Sequence, residues 1–402
     1  MQNNSRRDFL KSSLLASSLL FVPKFLHAVD HSNSLKKLAD SNGRRLVVVQ
    51  LGGGNDGLNT VAPFRNDLYY QARPGIALPE TKLLTLEKDL AFNTAMEGLK
   101  KLFDEGEIGI FNSVGYPNPD RSHFRSMDIW HTGSDATDYL STGWLGRYLD
   151  SNCATCATSF NGIEVDDTLS LAMKGQTKKG LALVDVKKLY QAASDPLYPH
   201  LPKVASSGSE LDYLYKTVIE TTSSAEYLYQ KSRIYRSSVE YPNTQFSRNL
   251  KTTAELICSG VDSRIFYVSL SGFDTHANQN NQQGRLLGEV SSGLYAFVQD
   301  LKSKNQFRDT LIMVFSEFGR RVKQNASNGT DHGTANNLFL LGGGLKKPGI
   351  LNEAPDLQTL DEGDLRHQLD FRRVYATILD NWLQSDADTI LGKKFDRLAG
   401  LL

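Results

Sequence analysis

Apolar residues gather along this chain in short unbroken runs and in longer stretches of helical spacing. Leu46, Val47, Val48, Val49 and Leu51 form one run, Ile265 to Leu270 a second, and Leu311 to Phe315 a third. Such runs do not alternate with polar residues, so they predict strands buried on both faces, as in a parallel sheet. Shorter runs at 107–112 and 338–341 predict two more strands. Helical spacing covers 93–104, 209–235, 243–258, about 283–302 and 370–379. After Pro117 and Pro119 it begins again at Asp120, with Phe124, Met127 and Trp130 on one face. Residues 63–73 read as loop. Strands alternating with helices predict an α/β fold: a doubly wound, mostly parallel sheet with helices on both faces. Residues 134–262 are patchier, with short strands, and read as crossover helices plus a cap-like insertion. No Pro/Gly/Ser-rich linker sets them apart, so residues 43–402 are expected to form one domain.

The strand ends carry the chemistry. The first run stops at Gly52, Gly53 and Gly54 followed by Asp56. The second runs into Asp274 and His276. The third reaches Glu317, and a polar loop then delivers Asp331 and His332. Open α/β sheets build ligand sites where strands end. If these strands are neighbours, the carboxylates and imidazoles converge, which is the donor chemistry of a divalent metal. Zinc with an open position suits catalysis, with calcium, magnesium or manganese as the other choices. Two ions would clamp the attacking and leaving oxygens of a phosphoryl or sulfuryl transfer. Each motif alone is unspecific: Asp56 reads equally as a turn residue and Glu317 as a partner of a buried arginine.

Ser122 falls at the predicted helix N-terminus beside Asp120, Arg121 and His123. A helix end stabilises negative charge, which suits a serine nucleophile, although a plain N-cap explains the same pattern. Arg125, one turn on, and Arg320 are placed to hold the oxyanion of a small anionic ester.

Composition narrows the class little: 402 residues, 40% hydrophobic, 22% charged and formally neutral. Nothing in it suggests a nucleic-acid partner. The glycine run at 52–57 lacks the spacing of a dinucleotide fingerprint, and Pro63 interrupts the helix that should follow. The first stretch is unusual. Ser5, Arg6, Arg7, Phe9, Leu10 and Lys11 precede an apolar segment, Leu14 to Phe21, too short to span a bilayer. Ala28 follows as a small residue suited to cleavage. Residues 1–28 therefore read as a twin-arginine signal peptide, with the twin-arginine translocase as a transient partner and a periplasmic or secreted destination. Removing it takes away Arg6, Arg7, Lys11 and Lys24 against Asp8, leaving a mature chain near −3. No later apolar run approaches the ~20 residues of a transmembrane helix. Cys153 and Cys156 have redox or zinc spacing, but no second such pair completes a zinc site, so a local disulfide or two free thiols is expected. Cys258 is left over.

Taken together, the residues Leu51 to Asn59, Arg121 to Phe124, Gly272 to His276, Ser316 to Arg320 and Thr330 to Gly333, with the signal at Ser5–Lys11, resemble the bacterial exported proteins grouped as domain of unknown function 1501. The resemblance covers nearly the whole mature chain. It implies the alkaline phosphatase and sulfatase superfamily, hence an alkaline-phosphatase-like sheet with metal ligands at strand ends. By that resemblance Asp56 matches the first-strand metal aspartate, Asp274 and His276 one ion's pair, and His332 the late histidine. Glu317 stands where the superfamily has Asp followed by His, and Phe318 takes that histidine's place. A complete two-metal site would then need His123 or Asp331. Neither a Cys-x-Pro-x-Arg nor an Asp-Ser-Ala signature is present. The implied activity is an exported metal-dependent hydrolase of phosphate or sulfate esters. The alternative is a non-catalytic exported metal- or ligand-binding protein on the same fold.

Overall fold

Strand β1 (Arg45–Gly52) is the centre of the fold, because its side chains are apolar on both faces. Val47, Val49 and Leu51 enter one hydrophobic cluster, and Leu46 and Val48 enter another on the opposite side. A strand buried twice over can sit only between other strands. On one side β1 pairs in parallel with β5 (Ile265–Ser271), and on the other with β6 (Thr310–Phe315).

The computed structural model describes residues 43–87, 89–152, 161–194 and 210–402, without the side chains of 210–220. The expected signal segment 1–28, residues 29–42, and Cys153 and Cys156 lie outside the described residues. Among those described, the main sheet also contains β2 (Ile108–Gly115), β3 (Gly162–Glu164), β4 (Leu181–Ala182), β7 (Asn336–Gly342), β8 (Gly349–Ile350) and β9 (Leu369–Asp370). The order is β8-β2-β7-β6-β1-β5-β3-β4, with β9 also on β2. Only β7 runs against its neighbours β2 and β6. The sheet is thus mostly parallel.

Helices cover both faces. α1 (Glu97–Asp104), α4 (Gln245–Cys258) and α5 (Gln279–Ser303) bury Leu99, Leu250 and Leu294 in the first cluster. α2 (His123–Thr132), α3 (Trp144–Asn152) and α6 (Phe371–Thr377) bury theirs in the second. There Trp130 stacks between Phe315 and Phe371, at 4.8 and 4.1 Å between centroids, and Trp144 stacks on Tyr375 at 4.1 Å. Such pairs contribute about 0.5–1.5 kcal/mol each beyond their buried area. They pin α2, whose first turn faces the strand ends.

Two features depart from the sequence reading. Within the stretch expected as loop, Asp67–Ala72 is a helix, because the Asn66 side chain accepts from the Leu68 N–H and caps it. Within 134–262, β3 and β4 extend the main sheet by pairing in parallel outward from β5.

Candidate metal centre

β1, β5 and β6 lie side by side and end together, so the loops that follow them meet. The first is the turn Gly53-Gly54, with φ of +114° and +68°. A side chain at Gly54 would run into the Phe318 ring. The loop after β5 carries Asp274 and His276. The loop after β6 carries Glu317 and returns through Asp331 and His332 toward β7. The first turn of α2 adds His123.

Asp274 Oδ1 is the meeting point. His276 Nε2 lies 3.0 Å from it, His332 Nε2 3.2 Å and His123 Nε2 3.5 Å. His276 Nε2 and His332 Nε2 are themselves 3.0 Å apart. The ligand atoms of His123, Asp274 and His332 all lie within 4.8 Å of one another.

Each ring is fixed through its other nitrogen. His123 Nδ1 is 2.9 Å from Glu317 Oε1, and His276 Nδ1 is 3.3 Å from Asp331 Oδ1. His332 Nδ1 is 2.8 Å from the carbonyl of Arg121. A carbonyl only accepts, so His332 donates from Nδ1 and, in its neutral form, turns a bare lone pair toward Asp274 and His276. Carboxylates behind His123 and His276 favour the same tautomer. Lone pairs crowded at 3.0–3.5 Å repel unless a proton or cation lies among them. Donors around a tetrahedral ion, at about 2.0–2.2 Å from it, stand roughly 3.3 Å apart. The buried Nε2 of His123 has no hydrogen-bond partner among the described residues, which suits a metal donor. The donor set fits a divalent metal of the zinc type. Asp274 and His276 are nearly half exposed, leaving the mouth of the cluster open.

Charge is arranged to match. Burial raises the Asp274 carboxyl pKa, but the Arg320 hydrogen bond and charge, with His332 and His276, outweigh it and lower the value to about 2. Asp331 is lowered by its bond from Asn325 against some burial, with His276 adding to the effect. The Glu317 bond raises His123.

The sequence-predicted residues divide. Asp274, His276 and His332 come together as expected. Asp331 and Glu317 stand one layer back, gripping ring nitrogens rather than facing the centre; Glu317 also accepts from the Gly53 N–H at 2.8 Å. Asp56 is an arginine partner: Arg73 Nη1 and Nη2 bond its two oxygens at 2.5 and 3.0 Å, and Gln279 adds a third bond. With both groups buried, its lone pairs are already used.

Neither expected oxyanion-binding arginine is free. Arg320 is buried, donating to the carbonyls of Gly53, Gly54, Phe273 and Thr330 and to Asp274. Arg125 is buried against the carbonyls of Asp135, Ala136 and Asp138, under the Tyr139 ring. Ser122 caps α2 by position only; its side chain makes no capping bond. The Phe318 ring packs against both His123 and His332 at 4.8 Å between centroids, tilted by 36° and 38°. His123 was legible only as a neighbour of Ser122 and a substitute ligand. The usable signal was its place in the first turn of a helix opening toward the strand ends.

The model of a family described as "Protein of unknown function (DUF1501)" matches residues 113–401. No curated protein matches the sequence. Among solved structures, the chain is similar to the C-terminal periplasmic domain of EcEptC from Escherichia coli in complex with zinc. The identity is 11%, with 75% of this chain and 73% of that one covered and a TM-score of 0.37. It is similar to the PsFucS1 sulfatase from Pseudoalteromonas sp. at 13% identity, covering 94% and 75%, with a TM-score of 0.40. A protein in the alkaline phosphatase superfamily from Vibrio parahaemolyticus matches at 12% identity, covering 78% and 63%, with a TM-score of 0.35.

Proposed function

The chain belongs to the DUF1501 family, and we propose that it is an exported metal-dependent hydrolase of phosphate or sulfate esters. The observation that carries this reading is the convergence of three Nε2 atoms on Asp274 Oδ1, each ring held from behind. His123, His276, His332 and Asp274 would hold one divalent ion, with zinc suited to three imidazoles. A bound ion of this kind supplies Lewis acidity toward an ester oxygen.

The chain's own groups do the rest. Glu317, Asp331 and the Arg121 carbonyl fix the rings, so the donors need no reorganisation. Arg320 keeps Asp274 ionised. Ser122, exposed and next to His123, is the proposed nucleophile; the N–H groups of the first turn of α2 favour negative charge beside it. Arg121 takes over the oxyanion role expected of Arg125 and Arg320. It is 42% exposed at the side chain, spends Nε and Nη2 on Asp364, and makes no hydrogen bond with Nη1 among the described residues. The N-terminal segment supports export by the twin-arginine route to the periplasm or beyond.

One observation favours the non-catalytic alternative: the Ser122 hydroxyl makes no hydrogen bond to a base among the described residues. The test is turnover of aryl phosphate and aryl sulfate esters by protein loaded stoichiometrically with zinc, manganese, magnesium or calcium. Hydrolysis lost in Ser122→Ala, with metal content unchanged, supports the assignment. No turnover with any ion at full loading overturns it in favour of a binding protein. Export is tested by cell fractionation of the Arg6→Lys, Arg7→Lys double variant, expected to retain the full-length chain inside the cell.

A further inference from the structure

Beside the metal centre lies a cavity of about 430 Å³, within the rough 300–1,000 Å³ of small-ligand sites. It is built from the same segments as the centre. Asn118 and Pro119 precede His123, Phe318 follows Glu317, and Thr334 follows His332. Phe318 is shared outright, being a wall of the cavity and packed against the rings of His123 and His332. An occupant therefore lies one aromatic ring away from two of the donors.

The outer wall is a hairpin that the metal centre itself does not use, Leu360–Asp361 paired with Asp364–Leu365. It is tied firmly to the site. Asp364 is fully buried, and its two oxygens accept from Arg121 at 2.5 and 2.8 Å and from Arg321 at 3.2 Å. The Thr334 hydroxyl donates to the Leu365 carbonyl at 2.5 Å. The wall is thus held by groups flanking both His123 and His332.

Asn118, Asp361, Arg366 and His367 line this cavity from its exposed side, and among the described residues none of them makes a side-chain hydrogen bond or ion pair. They offer an amide, a carboxylate, a guanidinium and an imidazole. Donors and acceptors are mixed and neither sign of charge dominates, unlike a site built for a free dianion. Pro119, Phe318 and Tyr116 add apolar surface. A ring with C–H faces and many hydroxyls satisfies both halves of that lining.

We propose that this cavity is a sugar subsite, so that the ester presented to the metal centre is carried on a carbohydrate. The substrate class rests on the hydrolase reading; the sugar site itself does not. The experiment uses unesterified glucose, galactose, N-acetylglucosamine and their β-1,4-linked disaccharides. Binding to the full mature chain, zinc-loaded and metal-free, is read by saturation-transfer NMR and calorimetry. At least one sugar is expected to bind in both forms. Asn118→Ala, Arg366→Ala and Arg366→Gln should each weaken it at least tenfold, with thermal midpoint and zinc content unchanged. No saturation transfer to any of these sugars overturns the proposal, as does binding indifferent to all three variants. Sugar binding without ester hydrolysis leaves the subsite standing and removes the hydrolase. Aryl ester hydrolysis without sugar binding removes the subsite alone.

Discussion

Glu317 Oε1 lies 2.9 Å from His123 Nδ1 and accepts the Gly53 N–H at 2.8 Å, so one buried carboxylate ties the first turn of α2 to the end of β1. It aims His123 Nε2 into the cluster and makes the ring a better donor. Outer carboxylates of this kind are worth about 10–100-fold in metal affinity. Glu317→Gln should lose zinc affinity in that range while keeping a folded chain. Competition against a chromophoric chelator measures it; unchanged affinity would remove Glu317 from the centre.

Asp56 gives the opposite result. It is buried against Arg73 and spends its oxygens there and on Gln279. Removing one partner of a buried pair costs about 3–5 kcal/mol. Asp56→Ala should drop the urea midpoint accordingly, yet the protein that remains folded should carry the same zinc per chain. A halved metal content at intact stability would return Asp56 to the ligand set.

The two arginines are separable in the same way. Arg125→Ala removes packing on Tyr139 and bonds to the 135–138 loop. It should lower the thermal midpoint and leave KM for an aryl ester within about twofold, whereas Arg121→Ala should raise KM by at least tenfold, roughly 1.4 kcal/mol of binding. Initial-rate kinetics on both variants decide it.

Stability should vary with pH through two buried groups that pull in opposite directions. Burial pushes His131 down to about 4, in a pocket where its Nε2 lies 2.8 Å from Gln50 Oε1. Between about pH 6.5 and 4 the unfolded chain takes up a proton there that the folded chain does not, so stability falls on acidification, by about 3 kcal/mol across the window. Burial pushes Glu164 up to about 7. Its folded form keeps a proton that the unfolded form has lost, so this group favours stability at low pH and loses it as pH rises from 4.5 to 7. Glu164→Gln should therefore steepen the acid loss, and adding His131→Gln should flatten it. Urea titrations from pH 4 to 7.5 read both slopes.

Much of this was legible from the chain alone. Apolar runs gave β1, β5 and β6 because residues buried on two faces leave no polar alternation. Asp274, His276 and His332 were legible because strand ends on neighbouring strands must meet. Strand ends do not distinguish a carboxylate that faces the cluster from one that stands behind a ring, and Glu317 and Asp331 are found against His123 Nδ1 and His276 Nδ1. Nor does sequence reveal that Arg73, on the turn after a helix capped by Asn66, reaches back to neutralise Asp56. His123 escaped as a candidate principal ligand because its element is a helix on one face of the sheet, and only the docking of α2 shows which way its first turn looks.

β1, the first described strand, is wedged between two strands translated long after it. The donors on β5's and β6's loops therefore cannot be aligned until the chain has been made past His332, and such distant pairing is slow to form. If the proposed centre holds an ion, its capture would report a nearly finished chain: chains cut short before β6 should emerge from purification empty, and bound zinc would serve as a count of molecules whose central strands have paired.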